Sequence, residues 1–169
     1  KSKFGDDCYY SFEDGLLTIK GVGDIINNTQ NYSPWYTFRN MIKTVKIEEG
    51  ITSIGDYSFN HCLSMTSVSI PKSVKSIGSY AFYNNPLTEL DLSSYTQLQT
   101  IGSHTFDRCS NLSTVKFPAS LQSIGTYAFY YCNKIAPEFA EGSSLKSIGA
   151  SVNLSTELSA YAVPINDAT

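Results

Sequence analysis

The sequence predicts a solenoid of stacked coils, each 23 or 24 residues long and carrying short β-strands and a single helical turn, on three observations. The phrase Ile-Gly-x-x-x-Phe occurs from Ile54, Ile77, Ile101 and Ile124, and Ile148-Gly149 begins it again without completing it. The successive starts are separated by 23, 24, 23 and 24 residues, a regularity that chance does not produce. Between the phrases, apolar residues recur at offsets of three and then two, as in Met65-Val68-Ile70, Leu87-Leu90-Leu92 and Leu112-Val115-Phe117.

A stack of coils exposes an apolar face at each end and needs caps. Residues 1–34 form the predicted N-terminal cap. Tyr9-Tyr10-Ser11-Phe12 and Leu16-Leu17-Thr18-Ile19 flank Asp14-Gly15, a strong hairpin turn signal, and the polar stretch 23–33 reads as a loop. The solenoid is assigned to residues 35–149, opened by Trp35, which shields the first coil. Ile42-Val45-Ile47 followed by Ile51 and Ile54 fits the same template, so one coil precedes the first full phrase.

Within a coil, the aromatic phrase after Ile-Gly, such as Ser79-Tyr80-Ala81-Phe82, is too short for an α-helix and suits one helical turn. The last two apolar residues of each trio then alternate with polar ones, the period of a half-buried strand. A turn with Pro or Ser follows, and a second strand, at 74–77 or 121–124, leads into the next coil. Stacking about 4.8 Å apart places Phe59, Phe82, Phe106 and Phe129 in one buried column. Cys62, Cys109 and Cys132 each stand eight residues after their Ile, with Asn85 at the matching place, which reads as a ladder of buried small thiols. Cys109 and Cys132 occupy adjacent coils, where a disulfide would require facing side chains. Residues 150–169, with Asn153 where a further Phe is due, form a C-terminal cap or linker. The repeat is irregular in three places: Asn85-Pro86-Leu87 drops a residue, the stretch from Leu92 to Ile101 gains two, and that from Ile135 to Phe139 loses one. The ladder is expected to bulge there, and Ser93-Ser94-Tyr95-Thr96 is a candidate contact loop.

The period lies in the range of leucine-rich repeats, and Ile51-Thr52-Ser53-Ile54-Gly55-Asp56-Tyr57-Ser58-Phe59-Asn60-His61-Cys62, continued to Ile70-Pro71, resembles the phrase of the BspA-like subclass nearly position by position. Residues 12–21 and Ser33-Pro34-Trp35-Tyr36 resemble the lead-in often found before such repeats. The resemblance covers roughly residues 8–149. It implies a leucine-rich-repeat solenoid on a secreted or cell-surface protein, with adhesion to host or extracellular-matrix proteins among the associated roles, and it carries over no catalytic residue.

Composition narrows the function classes. A formal charge of -3, with Lys and Arg scattered, offers no attraction for phosphate backbones and argues against nucleic acid. No apolar run approaches the roughly 20 residues needed to cross a bilayer, so no membrane insertion is expected of this segment. The start at Lys1-Ser2-Lys3 reads as that of a mature or trimmed segment. Low charge, 16%, beside 12 tyrosines gives a surface that is polar without being ionic. The cysteines and His61 and His104 have no zinc spacing, and no nucleophile, phosphate-loop or metalloprotease motif is present, so neither catalysis nor a metal or cofactor is predicted.

Two exposed features remain. With Val68/Ile70, Leu90/Leu92 and Val115/Phe117 inward, alternation sends Ser67, Ser69, Glu89, Asp91, Thr114 and Lys116 outward, and Thr44 and Lys46 extend the same two columns. This is the candidate partner-binding face, and it is also the surface that solubility requires to be polar. Tyr57, Tyr80 and Tyr127 share one repeat position, interrupted by His104, and Tyr130 shares another with Tyr83; they are candidate aromatic contacts for protein or carbohydrate, or simply repeat packing. The expected function is a protein-binding module at the cell surface. Its alternatives are a spacer that displays another domain and a carbohydrate-binding module that uses the tyrosines.

Overall fold

The computed structural model describes residues 2–4, 7–150 and 165–166. The predicted C-terminal cap or linker, Asn153 included, lies almost wholly outside the described residues.

Two walls of strands and one of turns enclose one core. On the principal wall, β1 (Ser2–Phe4), β2 (Cys8–Glu13) and β3 (Leu16–Gly21) form an antiparallel meander, and β3 then pairs in parallel with β5 (Thr44–Ile47), which pairs with β7 (Ser67–Ser69). The hairpin closes at Asp14 and Gly15, whose φ values of 49° and 81° are those of a type I′ turn. The opposite wall is one continuous sheet of β4 (Gly23–Asp24), β6 (Ile51–Ile54), β8 (Ser76–Ile77), β10 (Thr100–Ile101), β12 (Ser123–Ile124), β14 (Ser147–Gly149) and β15 (Ile165–Asn166). The third wall carries the turns after each Ile-Gly.

The N-terminal hairpin is more than a lid. Its strand β3 is the first rung of the principal wall, and the stretch read as a polar loop contributes β4 to the opposite wall and Ile25 to the core. Strands at 74–77 and 121–124 shorten to Ser76–Ile77 and Ser123–Ile124, although Val74 and Leu121 remain buried.

The phenylalanine column stands as the spacing predicts. Phe59, Phe82, Phe106 and Phe129 are fully buried, with ring centroids 5.4, 5.3 and 5.2 Å apart in succession. Trp35 closes its N-terminal end, stacked 5.5 Å from Phe59 while its Nε1–H donates to the Ser58 carbonyl at 2.7 Å. Burial of a wide aromatic whose one polar atom is satisfied shields the end of the core without leaving a donor orphaned.

Where one helical turn was expected, the chain makes two consecutive turns punctuated by left-handed residues. Tyr57, Tyr80, His104 and Tyr127 have φ near 58°, and so do His61, Asn84, Arg108 and Tyr131 four residues later in each coil. Such a backbone costs a non-glycine residue about 1–2 kcal/mol and stops a helix from propagating. It is offset by bonds between coils, such as the Phe59 amide to the Ala81 carbonyl at 2.7 Å and the His104 amide to the Thr126 carbonyl at 2.9 Å. The glycine of each Ile-Gly is needed for the same closeness: a Cβ on Gly125 would lie 2.4 Å from the Ser103 nitrogen and 2.5 Å from the Gly102 carbonyl carbon.

Cys62, Cys109 and Cys132 are buried thiols rather than partners in a disulfide. The Cys109 thiol donates to the Phe82 carbonyl at 3.2 Å and the Cys132 thiol to the Phe106 carbonyl at 3.0 Å, each reaching back one coil. Asn85 does the same with its amide, 2.9 Å from the Phe59 carbonyl. The repeat therefore asks this position for a small donor, which explains why Asn substitutes for Cys. Burial pushes the thiols of Cys62 and Cys109 up to about 12.

One departure governs the rest. The principal wall is not continuous: β9 (Glu89–Asp91), β11 (Thr114–Phe117) and β13 (Ala136–Phe139) form a separate sheet, and β9 does not pair with β7.

Candidate functional site

The register places the candidate face where alternation predicts, in two interrupted columns. Thr44 stands opposite Ser67 and Lys46 opposite Ser69, whereas Glu89 stands opposite Thr114 and Asp91 opposite Lys116. All eight side chains are at least partly exposed. Between the two halves opens a cleft of about 750 Å³, lined by Ser67, Val68, Glu89, Leu90, Asp91 and Tyr95 among others.

The opening coincides with two of the irregularities. Leu87 follows Asn85 after one residue, whereas Met65 and Leu112 follow Cys62 and Cys109 after two, and the exit from β9 is two residues longer than that from β7. The coil is thus short on entering β9 and long on leaving it, so β9 cannot keep register with β7 while holding its pairing to β11. Most Cα positions of β7 stand more than 8 Å from those of β9, against about 4.8 Å for paired strands. The extra residues form the predicted contact loop, which stays exposed at Ser93, Ser94 and Thr96 but turns Tyr95 inward, so that its hydroxyl donates to the Ile70 carbonyl and closes one end of the cleft. Behind it the coils stay joined, since β8 and β10 pair on the opposite wall.

The edges of the cleft are chemically defined. Just past β9 the Leu92 amide bonds the Lys116 carbonyl of β11 at 2.8 Å, so Leu90 and Leu92 turn their backbone groups toward β11. Alternation then turns the N–H and C=O of Glu89 and Asp91 into the cleft. Val68 of β7, and Ile70 just beyond its end, turn theirs into it from the other side. Val68 is only half-buried, whereas Val45 and Val115 at the same repeat position are wholly buried.

Electrostatics divide the face. Lys116 lies 3.8 Å from Glu138, and Lys46 lies 3.9 Å from Glu48. The Asp91 carboxylate accepts from the Ser93 hydroxyl at 2.6 Å and from its amide at 3.0 Å, which holds its pKa below the usual carboxylate value. Glu89 has no ion-pair partner among the described residues. The β9 edge is therefore the acidic side of the cleft.

The tyrosines occupy the turn wall, away from the cleft. Tyr57, Tyr80, His104 and Tyr127 stack face to face at 4.8, 4.5 and 4.9 Å, so their neighbours cover the inner ring faces and the edges and hydroxyls remain outside. Tyr130 packs edge-on to Tyr127 at 4.9 Å and tilted against Tyr131 at 4.2 Å. His104 Nδ1 lies 2.7 Å from an oxygen of Asp107, while His61 meets Tyr83 and Asn84, and the two histidines are linked through the rings of Tyr80 and Tyr83. Among the described residues, no group of three His, Cys, Asp or Glu side chains has metal-binding geometry.

Alternation along the strands gave each outward residue of the face, but Val68, Tyr95 and the unpaired backbone did not follow from it. Their signal was the missing residue at Pro86 beside the two extra ones after Leu92, which implies a bulge and leaves the sheet's division unstated.

The model of the BspA type leucine rich repeat region matches residues 32–159 in six copies. Among solved structures, the chain is similar to a leucine-rich repeat protein from Eubacterium ventriosum at 29% identity and a TM-score of 0.63, covering 88% of this chain and 43% of that one. It shares its fold with a leucine-rich repeat protein from Bacteroides ovatus, at 20% identity and TM-score 0.53 over 89% of this chain and 50% of that one. It shares it also with the pneumococcal vaccine antigen PcpA, at 20% identity and TM-score 0.60 over 87% and 40%. The chain thus spans half or less of the length of these solved chains. No curated protein matches it.

Proposed function

The chain belongs to the BspA-type leucine-rich-repeat family, and from that premise we propose that it acts as an extracellular or cell-surface binding module that holds a protein partner of host or matrix type through its principal strand face. The observation that carries this reading is the split wall. A face needed only for solubility gains nothing from a cleft that leaves the edges of two adjacent rungs unpaired, an arrangement proteins generally avoid or cover.

The surface supports the same reading. The face is polar and carries charges of both signs, with a cleft whose walls offer apolar contact at Val68 and Leu90 and acidic groups at Glu89 and Asp91. Association through such a face is a matter of shape and backbone hydrogen bonding, with the acids setting orientation. The stacked aromatic column is a poor platform for sugar rings, because stacking on carbohydrate needs free ring faces. No helix among the described residues is long and apolar enough to cross a membrane.

The test is surface plasmon resonance of the chain and a Glu89→Lys/Asp91→Lys variant over immobilised fibronectin, fibrinogen, collagen and a glycan panel. The reading expects saturable binding to a protein by the parent and at least about tenfold weaker binding by the variant, a change of about 1.4 kcal/mol. Binding indifferent to the reversal moves the site elsewhere, and absence of binding by both favours a spacer.

A further inference from the structure

We propose that the cleft between β7 and β9 is a strand-addition site, taking from a partner protein an extended segment of alternating cationic and small apolar side chains as an extra strand of the principal wall. The proposal rests on the binding-module reading and specifies how the partner is held.

The dimensions fit one strand. A strand lodged between two others sets them about 9.6 Å apart, two spacings of about 4.8 Å, and most Cα pairs between β7 and β9 lie more than 8 Å apart. The separation is local: β8 pairs with β10 behind the cleft, and Phe59 and Phe82 remain stacked at 5.4 Å beneath it. The coils therefore hold the opening in place, and an incoming segment has no sheet to pry apart.

Both walls carry the groups a strand needs. Val68 and Ile70 turn backbone groups into the cleft from one side, and Glu89 and Asp91 from the other, while Tyr95 occupies the Ile70 carbonyl and limits how far a segment extends. A segment with donors and acceptors on both edges satisfies them together, which is how an added strand gains affinity without a deep pocket.

The side chains dictate the segment's pattern. Alternate residues of an inserted strand point inward onto Val68 and Leu90, where small apolar groups fit, and the others point outward between the serines of β7 and the acids of β9. A cation at each of the two outward positions faces Glu89 and Asp91. The chain's own rungs show the pattern: Thr44-Val45-Lys46 and Thr114-Val115-Lys116 place Val inward and Thr and Lys outward, and Lys116 already stands in register with Asp91 from the other side.

The probe is a fluorescein-labelled, end-capped peptide of sequence Lys-Val-Lys-Val-Lys, titrated by anisotropy against the intact chain to about 1 mM. A second peptide is N-methylated at alternate residues, which keeps its charge and removes backbone donors. The expected result is saturable binding of the first, weakened at least about tenfold by N-methylation and by Glu89→Lys/Asp91→Lys. Equal binding of the methylated peptide means attraction to an acidic patch alone and overturns strand addition, as does no binding of the first at about 1 mM. Sedimentation of the chain as a dimer that Glu89→Lys/Asp91→Lys dissociates assigns the cleft to a second copy and also overturns it. If immobilised proteins bind in a manner sensitive to the charge reversal while the peptide does not, strand addition falls and the binding face stands; if no protein binds, the binding-module reading falls.

Discussion

Replacing Phe106 with Ala removes the middle of the aromatic column. Phe106 is fully buried, with Phe82 at 5.3 Å on one face and Phe129 at 5.2 Å on the other. The lost transfer energy of the ring is about 2 kcal/mol, and a residual void of roughly 80 Å³ at about 24 cal/mol per Å³ adds about 2 more. The coils above and below cannot collapse into the void, because their backbones are bonded to each other on all sides of it, so relaxation recovers little. The expected loss is about 3–5 kcal/mol, which for a chain of this size lowers the thermal midpoint by roughly 6–20 °C. Guanidinium unfolding followed by circular dichroism, with the slope compared between variants, measures it. A loss below about 1 kcal/mol would refute the register, since an interior ring with stacked neighbours on both faces cannot be removed so cheaply.

Further outcomes follow from the same geometry. Gly125→Ala places a methyl 2.4 Å from the Ser103 nitrogen and is expected to cost about 1–3 kcal/mol, while Gly142→Ala, at a left-handed residue with open space around it, costs about 1 kcal/mol; similar losses would place the coils farther apart than described. Asn85→Cys keeps a donor for the Phe59 carbonyl and removes a buried amide oxygen that has no partner among the described residues, so chemical unfolding should show it neutral or stabilising, and a loss above about 1 kcal/mol counts against the shared role. The thiols of Cys62 and Cys109 rise from an ordinary value of 9.0 to about 12 on folding. The folded state thus favours the neutral form: that stability is fully present below pH 9.0 and is lost as pH climbs from there to about 12. Maleimide labelling read by mass spectrometry at pH 8 should leave both unmodified in the native chain and label both in denaturant; rapid native labelling contradicts their burial.

Periodicity made most of this fold legible. The offsets of Val68/Ile70 and Val115/Phe117 gave the inward and outward sides of the rungs, and the Ile-Gly phrase gave the column of phenylalanines, because both reflect contacts repeated once per coil. Features that depend on local backbone did not show in it. Tyr57 and His61 carry no mark of a left-handed backbone, since Tyr, His and Arg tolerate that conformation only under the constraint of stacked coils. The division of the principal wall depends on how a missing residue at Pro86 and two additional ones after Leu92 are shared along a coil, a question of three-dimensional strain. Tyr95 stood in a stretch that reads as an outward contact loop, and its inward turn follows from the Ile70 carbonyl that the absent rung leaves open.

Amide hydrogen exchange along β9 tests the central claim, an open strand face, most directly. Because β9 is paired on one side alone, the Glu89 and Asp91 amides should exchange at least about tenfold faster than those of Leu90 and the following Leu92, which bond β11. Equal protection at all four positions would mean that β9 is paired on both edges, and the cleft, with the binding mode built on it, would be contradicted.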